Sequence, residues 1–364
     1  MAGNMQEYKC PCCGGALEFN PGVQKVKCPY CDTEFEMSTL SSLDEQLQNE
    51  GESNMQWTDV PNSEWQEGET EGMRVYVCKS CGGEIVGDAN MGATNCPYCD
   101  NPIVMMGQFT GSLKPDYVIP FKLDKEAAKN SLKEHYKGKK LLPDSFTKGN
   151  RIEEIKAVYV PFWLFDAKAN ASIRYKATKK REWEDDDFRY TETEYYSVFR
   201  SGSIEFSKVP VDASSKLDNT LSESLEPYDF SEAVNFQTAY LAGYLADKYD
   251  EDQEKTISRA NERITVSTEN AFLTTVVGYD TVNTEKSSVM FTDGSAKYAL
   301  YPMYLLSTKW QGEIYTFAMN GQTGKFVGNL PSDKGKITKM FFKTFLIVTP
   351  IAGAILALIK FIAG

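Results

Sequence analysis

The alternation of apolar and polar positions divides the middle of the chain, residues 107–333, into a mixed series of helices and strands. Residues 124–137 predict a helix: Asp124 suits its N-cap, and Ala127, Ala128, Leu132 and Tyr136 form an apolar stripe. Strand candidates follow at 157–164, 171–177, 188–199 and 203–206. The alternation from Arg189 to Tyr196 is that of a half-exposed sheet. Lys179, Lys180 and Arg181 are expected to face the acidic residues 184–187 across a hairpin tip, so neither cluster needs a ligand. Residues 236–249 and 252–267 predict further helices, and 314–326 a hairpin around Asn320-Gly321 and Thr323-Gly324. A weak repeat is also present. Pro161, Phe162, Trp163 and Leu164 return as Pro302, Met303, Tyr304 and Leu305 at an offset of 141 positions. These aromatic pairs read as sheet core, with a ligand groove as the sharper alternative.

The pattern changes at the C-terminus. Residues 344–359 carry no charge, and 341–363 carry only Lys343 and Lys360, close enough to the ends for their stems to snorkel. Such a segment is long enough to span a bilayer, and membrane helices tolerate a proline such as Pro350. Lys334, Lys336, Lys339 and Lys343 make the preceding flank cytoplasmic by the positive-inside rule. The first ten residues have neither a basic start nor an apolar run. No secretory signal is expected, and the body is placed in the cytosol.

Composition alters this picture little, charge rather more. With 364 residues, 41% of them hydrophobic, the chain can bury a large core and build two or three domains. The formal net charge is −12, which makes a polyanion a poor general partner. Residues 38–72 hold nine acidic residues and no lysine or arginine. They read as a flexible, solvated linker, with one short amphipathic helix around Leu40, Leu43 and Leu47. Trp57 and Trp65 in this segment are expected to pack within the chain.

The nine cysteines supply the candidate chemistry. Cys10 and Cys13 form a C-x2-C pair, as do Cys28 and Cys31. Cys78 with Cys81 and Cys96 with Cys99 repeat the arrangement 68 positions later. Cys13, Gly14, Gly15 match Cys81, Gly82, Gly83, while Cys28, Pro29, Tyr30, Cys31, Asp32 match Cys96, Pro97, Tyr98, Cys99, Asp100. The spacing points to metal rather than disulfides. Two thiolates three residues apart on a tight turn occupy two corners of a tetrahedron, and two such turns joined by a hairpin complete it. Glycine after the second cysteine allows the turn a positive φ. Each set is expected to hold one structural Zn²⁺, with no open corner for water or substrate. Cys12 reads as a bystander, with substitution for Cys13 as the alternative.

Residues 7–36 carry Lys9, Lys25 and Lys27 against Glu7, Glu18, Asp32, Glu34 and Glu36, so the basic footprint of a DNA binder is missing. Phosphate-binding loops, dinucleotide fingerprints and nucleophile elbows are also missing, and His135, the single histidine, reads as a surface residue. No catalytic residue and no small-molecule cofactor are expected.

The paired ribbons, the strand through Val160, Pro161, Phe162 and Trp163, the strand from Ala299 to Leu305 and the Asn320-Gly321, Thr323-Gly324 hairpin before Pro331 resemble a bacterial family. It comprises transcription-factor-IIB-type zinc-ribbon proteins with a hydrophobic tail, whose members often carry labels such as primosomal helicase, replication factor Y or phage replication protein. The resemblance covers nearly the whole chain. Cys12 departs from it, standing where the first turn usually has another residue. The resemblance implies association with phage-shock-type and flotillin-like membrane scaffolds in envelope-stress assemblies. The helicase label fails on chemistry, because nothing in the chain cradles ATP phosphates.

The expected fold is α+β: ribbons at 1–37 and 73–106, an acidic linker at 38–72, an α+β body at 107–333 and a basic flank with a transmembrane tail at 334–364. The expected function is a non-enzymatic, membrane-tethered scaffold whose ribbons recruit a protein partner. The alternatives are a nucleic-acid-binding ribbon protein of replication or transcription without helicase activity and, behind it, an enzyme whose site leaves no motif.

Overall fold

A computed structural model describes residues 18–20, 25–29, 34–36, 57–59, 65–88, 95–108, 113–147 and 154–363. Cys10, Cys12, Cys13 and Cys31, and the helix expected around Leu43, lie outside the described residues. The described residues begin with β1 (Glu18–Asn20), β2 (Lys25–Lys27), β3 (Glu34–Glu36) and β4 (Thr58–Asp59). Next come β5 (Met73–Cys78), β6 (Glu84–Asp88), β7 (Ile103–Gln108), β8 (Tyr117–Val118), helix α1 (Lys125–Tyr136) and helix α2 (Asp144–Thr147). Two long strands, β9 (Lys156–Glu184) and β10 (Arg189–Asp212), precede helix α3 (Asn219–Ser224), β11 (Val234–Asn235), β12 (Leu245–Asp247) and helix α4 (Gln253–Leu273). The chain closes with β13 (Thr281–Trp310), β14 (Glu313–Asn320), β15 (Phe326–Gly328) and helix α5 (Lys334–Ala363).

Two units are distinguished. The first combines Met1–Val60, Leu164–Val211 and Glu254–Ala296. Its β1, β2 and β3 form a small antiparallel sheet with Phe19 opposite Val26 and Val26 opposite Phe35. Helix α4 buries Thr256, Ala260, Ile264, Thr268 and Phe272, every fourth residue, as a helix with one inward stripe must. Ile264 packs with Ala167, Ala169 and Phe291, and Phe272 with Ile173, Tyr175 and Val198. Trp57 meets Phe165 edge-on at 5.0 Å, the expected packing within the chain.

The four separate strand candidates are fused pairwise into β9 and β10; in β9 inward and outward positions alternate without interruption from Ala167 to Ala177. This moves the hairpin tip to 185–188, so the two charge clusters do not face each other as expected. Lys179 instead lies over the rings of Tyr196 and Tyr279, and Arg181 over Trp183. The ion pair at the tip is Arg189 with Glu184.

The second unit combines Pro61–Trp163, Asp212–Gln253 and Lys297–Gly364. Its mixed sheet follows the order β11-β8-β13-β9-β12-β6-β5-β7, with β14 and β15 continuing from β13. β12 runs parallel to β9 and antiparallel to β6. Helix α1 starts at the predicted cap, where Asp124 Oδ1 accepts the Ala127 N–H at 2.8 Å. It buries Ala128, Leu132 and Tyr136 against Tyr304, Leu306, Phe317 and Met319.

Residues 236–249 are not the expected helix. They form a short 3-10 turn at Thr238–Leu241 and then strand β12. Gly243 sits between them at φ +80, where a helix cannot continue, and the sheet claims β12 on both edges. The weak repeat lies in β9 and β13, neighbours in the sheet, where Phe162 stacks on Tyr301 at 4.4 Å. Phe162, Trp163, Tyr159 and Tyr304 are fully buried. They are core.

The predicted hairpin is present. Asn320 Oδ1 accepts the Gln322 and Thr323 N–H groups at 2.9 Å, and Gly324 takes the positive φ. Gly321 serves close approach instead: a Cβ there would lie 2.6 Å from Phe121, whose ring contacts Tyr159, Tyr244 and Tyr304. Helix α5 runs through Pro350 to Ala363. Its stretch Lys334–Leu356 is long and apolar enough to cross a membrane, and none of it is buried. Overpacking the ring cluster should be costly. Gly321→Ala is predicted to lower stability by about 1–3 kcal/mol in urea unfolding; an unchanged midpoint would contradict the packing at Phe121.

Candidate metal centre

Two turns of the same design make the centre. In the first, following β5, the Gly82 N–H donates to Cys78 O at 2.8 Å and the Cys78 N–H to Gly83 O at 2.9 Å. In the second, the Asp100 N–H donates to Cys96 O at 3.0 Å and the Cys96 N–H to Asn101 O at 2.7 Å. In both, the residue after the second cysteine has positive φ: Gly82 at +73 and Asp100 at +58. Glycine adopts that conformation freely, and aspartate tolerates it better than most side chains. The repeated Asp after the C-x2-C pair was therefore a structural signal of the same kind as the glycines.

The turns bring Cys78, Cys81, Cys96 and Cys99 together, with all four sulfurs within 4.8 Å of one another. Cys78 Sγ lies 3.5 Å from Cys99 Sγ, and Cys81 Sγ 3.6 Å from Cys96 Sγ. A disulfide needs about 2.05 Å, so these are not bonded pairs. Four thiolates about 2.3 Å from a tetrahedral Zn²⁺ would be separated by about 3.8 Å, which this cluster nearly matches. Cys78, Cys96 and Cys99 are buried and Cys81 is half-buried.

The surroundings fit a cation. Burial pushes the Cys81 thiol up to about 11 and the Cys96 thiol higher still, so thiolate charge there needs compensation. Burial pushes Cys99 up too, but hydrogen bonds from Asn101 together with those of Cys78 and Cys81 bring that thiol down to about 7. The Asn101 side chain donates to Cys99 Sγ at 3.4 Å and to Ser80 Oγ at 3.0 Å, stitching one turn to the other. Such hydrogen bonds orient and charge-tune metal ligands. The residues present fit a closed tetrathiolate zinc site, which stabilises structure and leaves no corner for substrate.

The centre is joined to the sheet. β5 pairs with β6 and β7, and β6 pairs with β12 through Val86 opposite Ala246. Tyr98, between the second pair of cysteines, donates to buried Asp247 Oδ2 at 2.6 Å, and Ser214 Oγ donates to the same oxygen at 2.5 Å. Burial pushes Asp247 up to about 7 and neighbouring Asp212 up to about 8. Ser307 Oγ donates to Pro97 O at 2.9 Å.

The second predicted ligand set is thus brought together in full. Of the first set, Cys28 is described and buried, and its companions lie outside the described residues. Spacing alone did not reveal Asn101, Tyr98 or Asp247. His135 touches Phe326 and Tyr136 and lies 2.8 Å from Lys139 Nζ.

Among curated proteins, the chain is 36% identical over 238 residues to uncharacterized protein YdjG of Bacillus subtilis (strain 168), covering 65% of this chain and 70% of YdjG. The chain belongs to the YdjG family. No family model matches it, and no solved structure does.

In this YdjG-family chain, Asn101→Ala should weaken zinc retention roughly 10–100-fold in chelator competition while leaving the four ligands in place. Unaltered retention would show that Asn101 does not support the sulfurs.

Proposed function

We propose that the protein is a non-enzymatic, membrane-tethered zinc-ribbon scaffold that holds protein partners at the cytosolic face of a membrane. The observation that carries this reading is α5, which exposes Phe341, Phe342, Phe345, Leu346, Ile351 and Leu356 along an unburied apolar length. In water such a surface is unfavourable; in a bilayer it is satisfied. The lysines before it favour a cytosolic body.

Partner docking is supported by β7, which ends the sheet order among the described residues. Val104, Met105 and Met106 on it are 42%, 57% and 67% exposed. An apolar strand at a sheet edge offers backbone groups to an added strand, and methionines adapt to varied surfaces. The net charge of −12 favours a protein partner over a nucleic acid. On this reading Cys10, Cys13, Cys28 and Cys31 hold a second structural Zn²⁺ like the one at Cys78, Cys81, Cys96 and Cys99. The chain would then be a transcription-factor-IIB-type ribbon protein serving an envelope-stress assembly.

Cell fractionation tests the tether. The full chain should pellet with membranes and resist carbonate extraction, whereas a chain ending at Lys336 should be soluble. Full-length protein in the soluble fraction would overturn the proposal.

A further inference from the structure

At the foot of α5 the loop between α1 and α2 is fastened to the helix start. The Asp333 N–H donates to Leu141 O at 2.8 Å, and Lys336 Nζ donates to Leu142 O at 2.6 Å and Asp144 Oδ1 at 2.5 Å. Between them lies an open cleft of about 400 Å³, lined by Gly138, Lys139, Lys140, Leu142, Pro331 and Met340 among others. Residues nearly two hundred positions apart are thereby held on one shelf.

The charge of this shelf is opposite to that of the chain. Residues 133–144 and 333–343 contain eight lysines and only three carboxylates, in a protein of net charge −12. The three carboxylates are engaged: Glu134 with Lys137 at 3.2 Å, Asp144 with Lys336, and Asp333 capping α5 through the Lys336 N–H at 3.0 Å. Lys139 and Lys140 are exposed. Just past the shelf, the exposed rings of Phe341, Phe342 and Phe345 continue the apolar side along α5.

A cationic rim directly above an apolar helix matches a phospholipid, whose anionic head and acyl chains have the same order. We infer that the Lys139–Lys140 shelf binds the phosphate headgroup of an anionic phospholipid in the leaflet that α5 enters. The inference rests on the proposed tether and adds lipid selectivity to it. Basic residues beside a bilayer favour anionic lipids, an attraction that salt weakens. The contribution of Lys139 and Lys140 comes from the folded body rather than from the sequence flanking the helix. The docked loop therefore also fixes how the body stands on the membrane.

The test uses the full chain in detergent micelles, titrated with phosphatidylglycerol or with phosphatidylcholine of the same acyl chains, with bound lipid read by native mass spectrometry. Phosphatidylglycerol adducts should exceed phosphatidylcholine adducts. In a K139Q/K140Q variant the phosphatidylglycerol occupancy should fall roughly ten-fold, while K125Q/K309Q should leave it unchanged. Unchanged zinc content checks that the variants are folded. Equal adducts of the two lipids, or equal phosphatidylglycerol occupancy in K139Q/K140Q, would overturn the inference. So would displacement of the lipid by millimolar inorganic phosphate, which would assign the shelf to the free anion. Flotation on neutral phosphatidylcholine vesicles reads the tether separately. Wild type and K139Q/K140Q should float alike, and loss of flotation by both would overturn the tether and the shelf's placement at a leaflet.

Discussion

Four sulfurs held within 4.8 Å of one another, mostly out of water, are the constraint around which the second unit is arranged. As thiols they would make weak contacts; as thiolates they would repel one another strongly in a medium that screens poorly. A divalent cation turns that repulsion into a bond at every corner. The two turns, each with a positive-φ residue after its second cysteine, exist to present the sulfurs. The strands that flank those turns, β5, β6 and β7, are also strands of the sheet, so a local metal clamp becomes part of a larger fold.

That continuity distinguishes this centre from a bead on a string. Tyr98 leaves the metal loop and ends on Asp247 of β12, while Ser307 of β13 reaches Pro97. Loss of metal would therefore be felt in the sheet, and strain in β12 would be felt at the sulfurs. A buried carboxyl pushed toward neutral pH and held by two hydroxyl donors makes a short, specific fastening. Within the same unit α1 and β14 close one core, and the loop after α1 grips the start of α5.

Local chemistry was legible in the sequence; pairing between distant segments was not. The C-x2-C spacing named Cys78, Cys81, Cys96 and Cys99 because metal geometry is enforced over four residues. Asp124 announced a helix start, and Asn320 a turn, because each side chain bonds to backbone two or three residues away. Residues 236–249 misled because their helix-like apolar spacing was overruled by two strands contributed from elsewhere. Asp247 was invisible for the same reason, since its partner Tyr98 lies 149 positions away, and so was the link that Asn101 makes to Ser80, 21 positions away. The strand candidates were real but undercounted in length, because alternation shows a strand's face and not its end.

In the proposed scaffold a clamp built into the sheet, an exposed β7 edge and an unburied apolar helix each have a place. The closed clamp is the part on which the rest depends. X-ray absorption at the zinc edge of a C10S/C13S/C28S/C31S chain, which keeps the clamp's four cysteines alone, tests it most directly. A closed centre predicts four sulfur neighbours at about 2.3 Å and no lighter ligand. A nitrogen or oxygen in the first coordination sphere would show an open or mixed site and contradict a purely structural tetrathiolate.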